Sequence, residues 1–160
     1  MRQACEARLR TLEVPDPFSI NAFCDALARE RDRPIRLVPM PDGGDAPCGV
    51  WLSTADTDWV FHQVATSPLH QEHIILHELA HMIFDHKTVR DQAEGLQAQL
   101  LPDLDPRVIA TVLGRMPYSS EQEQEAEMLA GLIGSHAKRP ARPSADSSYA
   151  RAVDVFRPGT

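Results

Sequence analysis

The chain is short of cysteine, of positive charge and of long apolar runs. Its three cysteines, Cys5, Cys24 and Cys48, lie far apart, with no CxxC pair among its 160 residues. An odd, scattered set excludes a disulfide framework and a cysteine-built zinc site, and reads as the reduced thiols of a cytoplasmic protein. No segment approaches the roughly 20 apolar residues that a membrane-spanning helix requires. The basic start "MRQACEARLR" has no apolar stretch behind it, so a secretory signal is not expected. The 16 Lys and Arg are outnumbered by 23 Asp and Glu, for a net charge of −7. From His136 onward five Lys/Arg meet two Asp, giving +3 there and leaving −10 on residues 1–135. An acidic body argues against nucleic acid as a direct partner, because phosphate binding draws on a basic face.

What is present suits one soluble domain: 42% apolar and 24% charged residues, and a length that can bury one core but not two comfortable ones. Residues 1–135 are expected to form it, and residues 136–160, rich in Pro, Ser, Ala and Arg, to be a mobile basic extension. "MRQACEARLRTLEV" predicts a short helix. Ile20, Phe23, Cys24 and Leu27 recur at helical spacing and predict a second, ending near Arg31. "PIRLVPMP" reads as a strand stopped by its own prolines. "CGVWLSTADTDWVFHQVAT" alternates on either side of Asp56 and Thr57 and predicts a β-hairpin. Ser67 and Pro68 suit the cap and first position of a helix running to about His86. Asp105 and Pro106 start a further short helix ending at Gly114. Ser120 and Glu123 offer a capping box for "EQEQEAEMLAGLIGSHA".

Five of the seven histidines fall in "SPLHQEHIILHELAHMIFDH". At about 100° per residue, His70, His73, His77 and His81 share one stripe. Ile75, Leu76, Leu79, Met82 and Ile83 gather opposite, as the core-facing side, and His86 projects with them, away from the stripe. His77 and His81 bracket Glu78 in the pattern HExxH. Imidazoles four apart on a helix converge on one Zn2+, and the glutamate between them can take a proton from water activated by the metal. The expected architecture is therefore α+β: a small three-stranded sheet packed with a zincin-type HExxH helix and a later glutamate-bearing helix.

A catalytic zinc takes three protein ligands and keeps one position open. Phe84 and Lys87 stand where a metzincin needs glycine and histidine, which leaves a carboxylate from the later helix. There Glu125 lies within the arc of Ala126, Met128, Leu129, Ala130, Leu132 and Ile133. Glu121 shares that arc a turn earlier, Glu123 sits at its edge and Glu127 outside it. A carboxylate among core-facing residues is costly without a cation, so Glu125 is the expected ligand, with Glu121 next.

"HIILHELAHMIFDH" followed by "EQEAEMLAGLI" closely resembles the ImmA/IrrE family of zinc metallopeptidases. Longer stretches, "PDPFSINAFCDALARERDRPIRLVPMP" among them, look like an actinobacterial branch described as a toxin–antitoxin or regulator component. The resemblance implies Zn2+ on His77, His81 and Glu125, Glu78 as general base, and a helix-turn-helix repressor as a protein partner to be cleaved or displaced. This chain has no helix-turn-helix module of its own, and Met128-Leu129 stands where the family usually has an aromatic before the alanine. The competing expectation is a zinc-containing binding module, antirepressor or toxin–antitoxin component, that sequesters its partner uncut. Three further residues are candidates: Tyr118 as a hydrogen-bond donor to a developing oxyanion, Cys48 as a thiolate near the metal, and Asp85 as a carboxylate orienting an imidazole. An extended peptide substrate is expected along residues 48 to 64.

Overall fold

A computed structural model describes residues 1–40, 47–54, 56–86 and 118–138. Helix α1 spans Arg2–Thr11 and α2 spans Ile20–Arg31. Strands β1, β2 and β3 cover Ile35–Met40, Gly49–Ser53 and Asp58–Gln63. Helix α3 runs over Pro68–Ile83 and α4 over Ser120–Ala137. The mixed α+β architecture is as expected. The short helix expected at 105–114 and residues 139–160 of the basic extension lie outside the described residues. Helix α4 itself continues past residue 135, the expected domain limit.

The sheet has the order β1-β3-β2. The hairpin is β2–β3, antiparallel, with Trp51 opposite Val60, while β1 joins the far side of β3 in parallel. Side chains alternate between faces along each strand. Trp51, Val60, Ile35 and Leu37 therefore look toward the helices and join the main core with Phe23, Leu27, Ile75, Leu76, Leu79, Leu129 and Ile133. Val50, Leu52 and Phe61 point the other way and are also buried, packed with Val38, Met40 and Trp59.

A buried ionic knot fixes the hairpin against the helices. Asp58 is fully buried; it accepts from Arg31 Nε at 2.9 Å and from the Trp51 indole at 3.1 Å, with Arg33 Nε at 3.4 Å. Both arginines reach it because α2 ends on Asp32 in the left-handed region, φ 52°. There the Arg33 amide returns to the Ala28 carbonyl and the Asp32 amide to that of Arg29, a Schellman closure. Arg31 also donates to the Met82 carbonyl at 3.2 Å, tying the end of α3 into the same knot.

Helix α3 starts as expected: the Ser67 hydroxyl accepts from the His70 amide and Pro68 takes the first turn. Its end is different. The helix stops at Ile83, not near His86, because Asp85 adopts a left-handed φ of 51°. The His86 amide then donates to the His81 carbonyl at 3.0 Å and the Asp85 amide to the Met82 carbonyl at 3.1 Å, again a Schellman closure. Helix α4 is capped one residue earlier than expected. Ser119 is the cap and Gln122, not Glu123, completes the capping box. Glu123 is thereby left for other work.

Candidate metal centre

Helices α3 and α4 lie side by side, burying Leu76, Leu79, Leu129 and Ile133 between them. At one edge of that seam a stripe of histidines meets a stripe of glutamates. The Nε2 atoms of His77 and His81 are 3.1 Å apart. Glu123 Oε2 stands 3.2 Å from His77 Nε2 and 3.9 Å from His81 Nε2. Among the described residues, these three form the group able to hold one metal ion, with ligand atoms all within 4.8 Å of one another. Zinc bonds of 2.0–2.1 Å at tetrahedral angles set ligand atoms about 3.3 Å apart. Two of the three separations already match. The third closes by a small turn of Glu123, whose side chain is 46% exposed and has room to move.

The neighbours of each ring decide which nitrogen carries its proton. Glu127 Oε2 lies 3.2 Å from His77 Nδ1. An ionised carboxylate only accepts, and Glu123 Oε2 lies at the same 3.2 Å from His77 Nε2, so each nitrogen of this ring faces an acceptor; with a metal on Nε2 the proton would sit on Nδ1. Glu125 Oε2 lies 3.1 Å from His86 Nε2. By the same reasoning His86 is protonated there and its Nδ1 accepts. That Nδ1 is 2.9 Å from His81 Nδ1, so His81 donates from Nδ1 and also presents a lone pair at Nε2. At 3.1 Å apart the two Nε2 atoms are close enough to share one proton or one cation. Carboxylates behind imidazoles are the usual means of fixing the tautomer of metal-binding histidines.

This geometry assigns the sequence candidates new places. His77 and His81 converge as expected. Glu125 does not meet them; it holds His86, and Glu123 stands at the pair instead. The sorting by helical arc sought a carboxylate among core-facing residues. The meeting point of α3 and α4 lies at the rim of their buried seam, where arc-edge residues point. Glu121 is exposed in the first turn of α4. His86 was expected to face away from the stripe, but the chain reversal at Asp85 swings its ring onto His81. Asp85 itself is exposed, and its left-handed backbone makes that reversal. Tyr118 stacks on His81, ring centroids 3.6 Å apart and 12° from parallel, so it packs the fully buried imidazole. Cys48 is exposed and outside the metal-capable group.

Glu127 was not among the sequence candidates. It bridges His77 and His73, whose Nε2 lies 3.0 Å away. Burial raises its carboxyl pKa, but the hydrogen bonds and charges of His73 and His77 outweigh that and hold it below the ordinary glutamate value. The i, i+4 pairing of Glu123 with Glu127, facing the i, i+4 pairs of His73, His77 and His81, was a usable signal. Glu78 is 6% exposed and its Oε2 accepts from the Trp51 backbone amide at 2.8 Å. A cleft of about 510 Å³ opens beside His77 and Glu123, lined also by Gln124, Glu127, Met1 and Met128.

No helix among the described residues is long and apolar enough to cross a membrane. No family profile, curated protein or solved structure matches the chain.

Proposed function

We propose that this chain is a zinc-dependent metallopeptidase of the ImmA/IrrE type, hydrolysing a peptide bond in a regulatory protein such as a helix-turn-helix repressor. The observation that carries the metal reading is the convergence of His77, His81 and Glu123, with ligand atoms all within 4.8 Å of one another, Glu127 behind His77 and the His86–Glu125 pair behind His81. His77, His81 and Glu123 hold the ion, which replaces Glu125 by Glu123 in the ligand set implied by the family resemblance. Zinc there supplies Lewis acidity and brings the pKa of water near neutrality. Glu78, on the turn between the two histidines, takes the proton from the attacking water and passes it to the leaving amine. The cleft beside His77 and Glu123 leaves room for a substrate at the open side.

The peptidase reading and the partner rest on the sequence resemblance together with the intact Glu78. Strand β2 has β3 as its one partner among the described strands, and an extended peptide would pair along its outward edge beyond the Trp51 amide, which Glu78 occupies. That peptide would come from an exposed linker of the partner, where backbone groups are not tied up in a helix.

The test is metal analysis of the purified protein, with hydrolysis of a helix-turn-helix repressor as the second readout. About one zinc per chain is expected from a three-ligand site with one open position. His77→Ala and His81→Ala should each lose it, while Glu78→Gln keeps the metal and stops cleavage. Zinc retained in both histidine variants places the metal elsewhere. A Glu78→Gln variant that still regulates its partner in cells as wild type does would make the protein a sequestering module rather than a hydrolase.

A further inference from the structure

A general base has to be held in place. A glutamate side chain has several free rotations, and a displacement of about 1 Å at a reacting group can cost on the order of 100-fold in rate. In this chain the restraint on Glu78 comes from strand β2. Antiparallel pairing alternates residues that exchange hydrogen bonds with their partner strand and residues whose N–H and C=O point outward. Gln63 N–H donates to the Cys48 carbonyl at 2.8 Å and Thr54 N–H to that of Thr57 at 2.9 Å. The even-numbered residues of β2 therefore pair with β3, and Gly49, Trp51 and Ser53 turn their backbone groups outward.

On that outward side the Trp51 amide donates to Glu78 Oε2 at 2.8 Å. The donor is itself immobilised, because the indole of Trp51 donates to the fully buried Asp58 at 3.1 Å. Two residues earlier the strand has glycine, and the space it leaves is filled by Glu78. A Cβ at position 49 would lie 2.7 Å from Glu78 Oε1, 2.9 Å from its Cγ and 2.8 Å from Ile74 Cγ2. The carboxylate and the strand can approach this closely only where no side chain intervenes.

We propose that Gly49 and the backbone N–H of Trp51 form a seat for the Glu78 carboxylate, making Gly49 a positioning residue for the base. This rests on Glu78 acting as the general base of the proposed hydrolysis. It also changes how a substrate can use the β2 edge. The Trp51 amide is already engaged by Glu78, so a peptide lying there either leaves that donor out of its pairing or displaces the base from it.

The seat is tested by the amide resonance of Trp51 in nitrogen-15-labelled full-length protein, metal-free and with one equivalent of zinc. Glu78→Gln replaces an ionised acceptor by a neutral one of the same shape, and should move the Trp51 amide proton upfield. Gly49→Ala should move it in the same direction, with zinc content unchanged because His77, His81 and Glu123 are untouched. A Trp51 amide indifferent to Glu78→Gln overturns the proposal, even should Gly49→Ala fail to fold. Zinc-loaded protein and a fluorogenic peptide library then separate this from the parent reading. Gly49→Ala should lower kcat by about 100-fold with KM little changed. Full activity in Gly49→Ala overturns the positioning role, whereas full activity in Glu78→Gln removes the base assignment itself.

Discussion

Replacing Glu123 and Glu125 separately by alanine should weaken zinc binding by very different amounts. Alanine is the best helix former, so neither change should unravel the first turns of α4. Glu123 Oε2 lies 3.2 and 3.9 Å from the two Nε2 atoms, so its removal deletes a ligand. Zinc binding by four-ligand sites contributes about 10–16 kcal/mol, hence about 2.5–4 kcal/mol per ligand, which is roughly 60- to 700-fold in Kd. Glu125 would bear on a bound metal only through His86 and His81, by contacts of 3.1 and 2.9 Å. Loss of such an outer partner costs about 10- to 100-fold. Competition of each apo-protein with a chromophoric chelator at fixed pH measures both, and Glu121→Ala should behave as wild type. If Glu125→Ala loses more affinity than Glu123→Ala, the ligand assignment from this geometry is wrong and the one from the helical arc is right.

Two sites near the ends of elements give three further outcomes. Asp58→Asn leaves Arg31 and Arg33 without their counter-charge; breaking a buried pair costs about 3–5 kcal/mol. Since both arginine side chains are 24% exposed, the lower figure applies, and melting should fall by about 10 °C. Asp85→Gly should keep zinc affinity, because glycine takes the left-handed region without strain. Asp85→Val should lose about 1–2 kcal/mol there and, by unseating His86, weaken zinc about as much as Glu125→Ala. Thermal melts run beside the zinc titration decide both.

Much of the fold was legible because its signals are local. The spacing of Ile20, Phe23, Cys24 and Leu27 depends on one helix face, and α2 ends at Arg31 as that pattern predicts. The alternation around Asp56 and Thr57 needs only a strand, a turn and a strand, and yields β2–β3. Ser67-Pro68 states its own role in two residues. The parallel pairing of β1 with β3 carries no such local mark, since it depends on where the chain crosses the sheet. The one-residue slip in the cap of α4 has a plain cause. Ser119 and Ser120 are adjacent, and each has a Gln or Glu three residues on, so both registers satisfy the same capping chemistry.

The rim position of the α3–α4 seam and the end of α3 account for the residues that the helical arc misplaced at the candidate site. In the helical arc Glu123 falls at the edge, behind Glu125 and Glu121, whereas the meeting point of the helices lies at the rim of the buried seam, where Glu123 stands beside His77. Extending α3 to His86 put that ring on the apolar side, whereas a helix ending at Ile83 folds it back onto His81. Asp85 is a weak signal for such a reversal. Aspartate enters the left-handed region more readily than most residues, but far less often than the glycine usual at this position. A site between two helices is fixed by what happens at their ends as much as by the faces they present. HELAH identifies the two histidines because both lie within one regular turn of α3. The third imidazole depends on where α3 stops, which turns on Asp85, and the carboxylate opposite depends on where the rim of the α3–α4 seam falls.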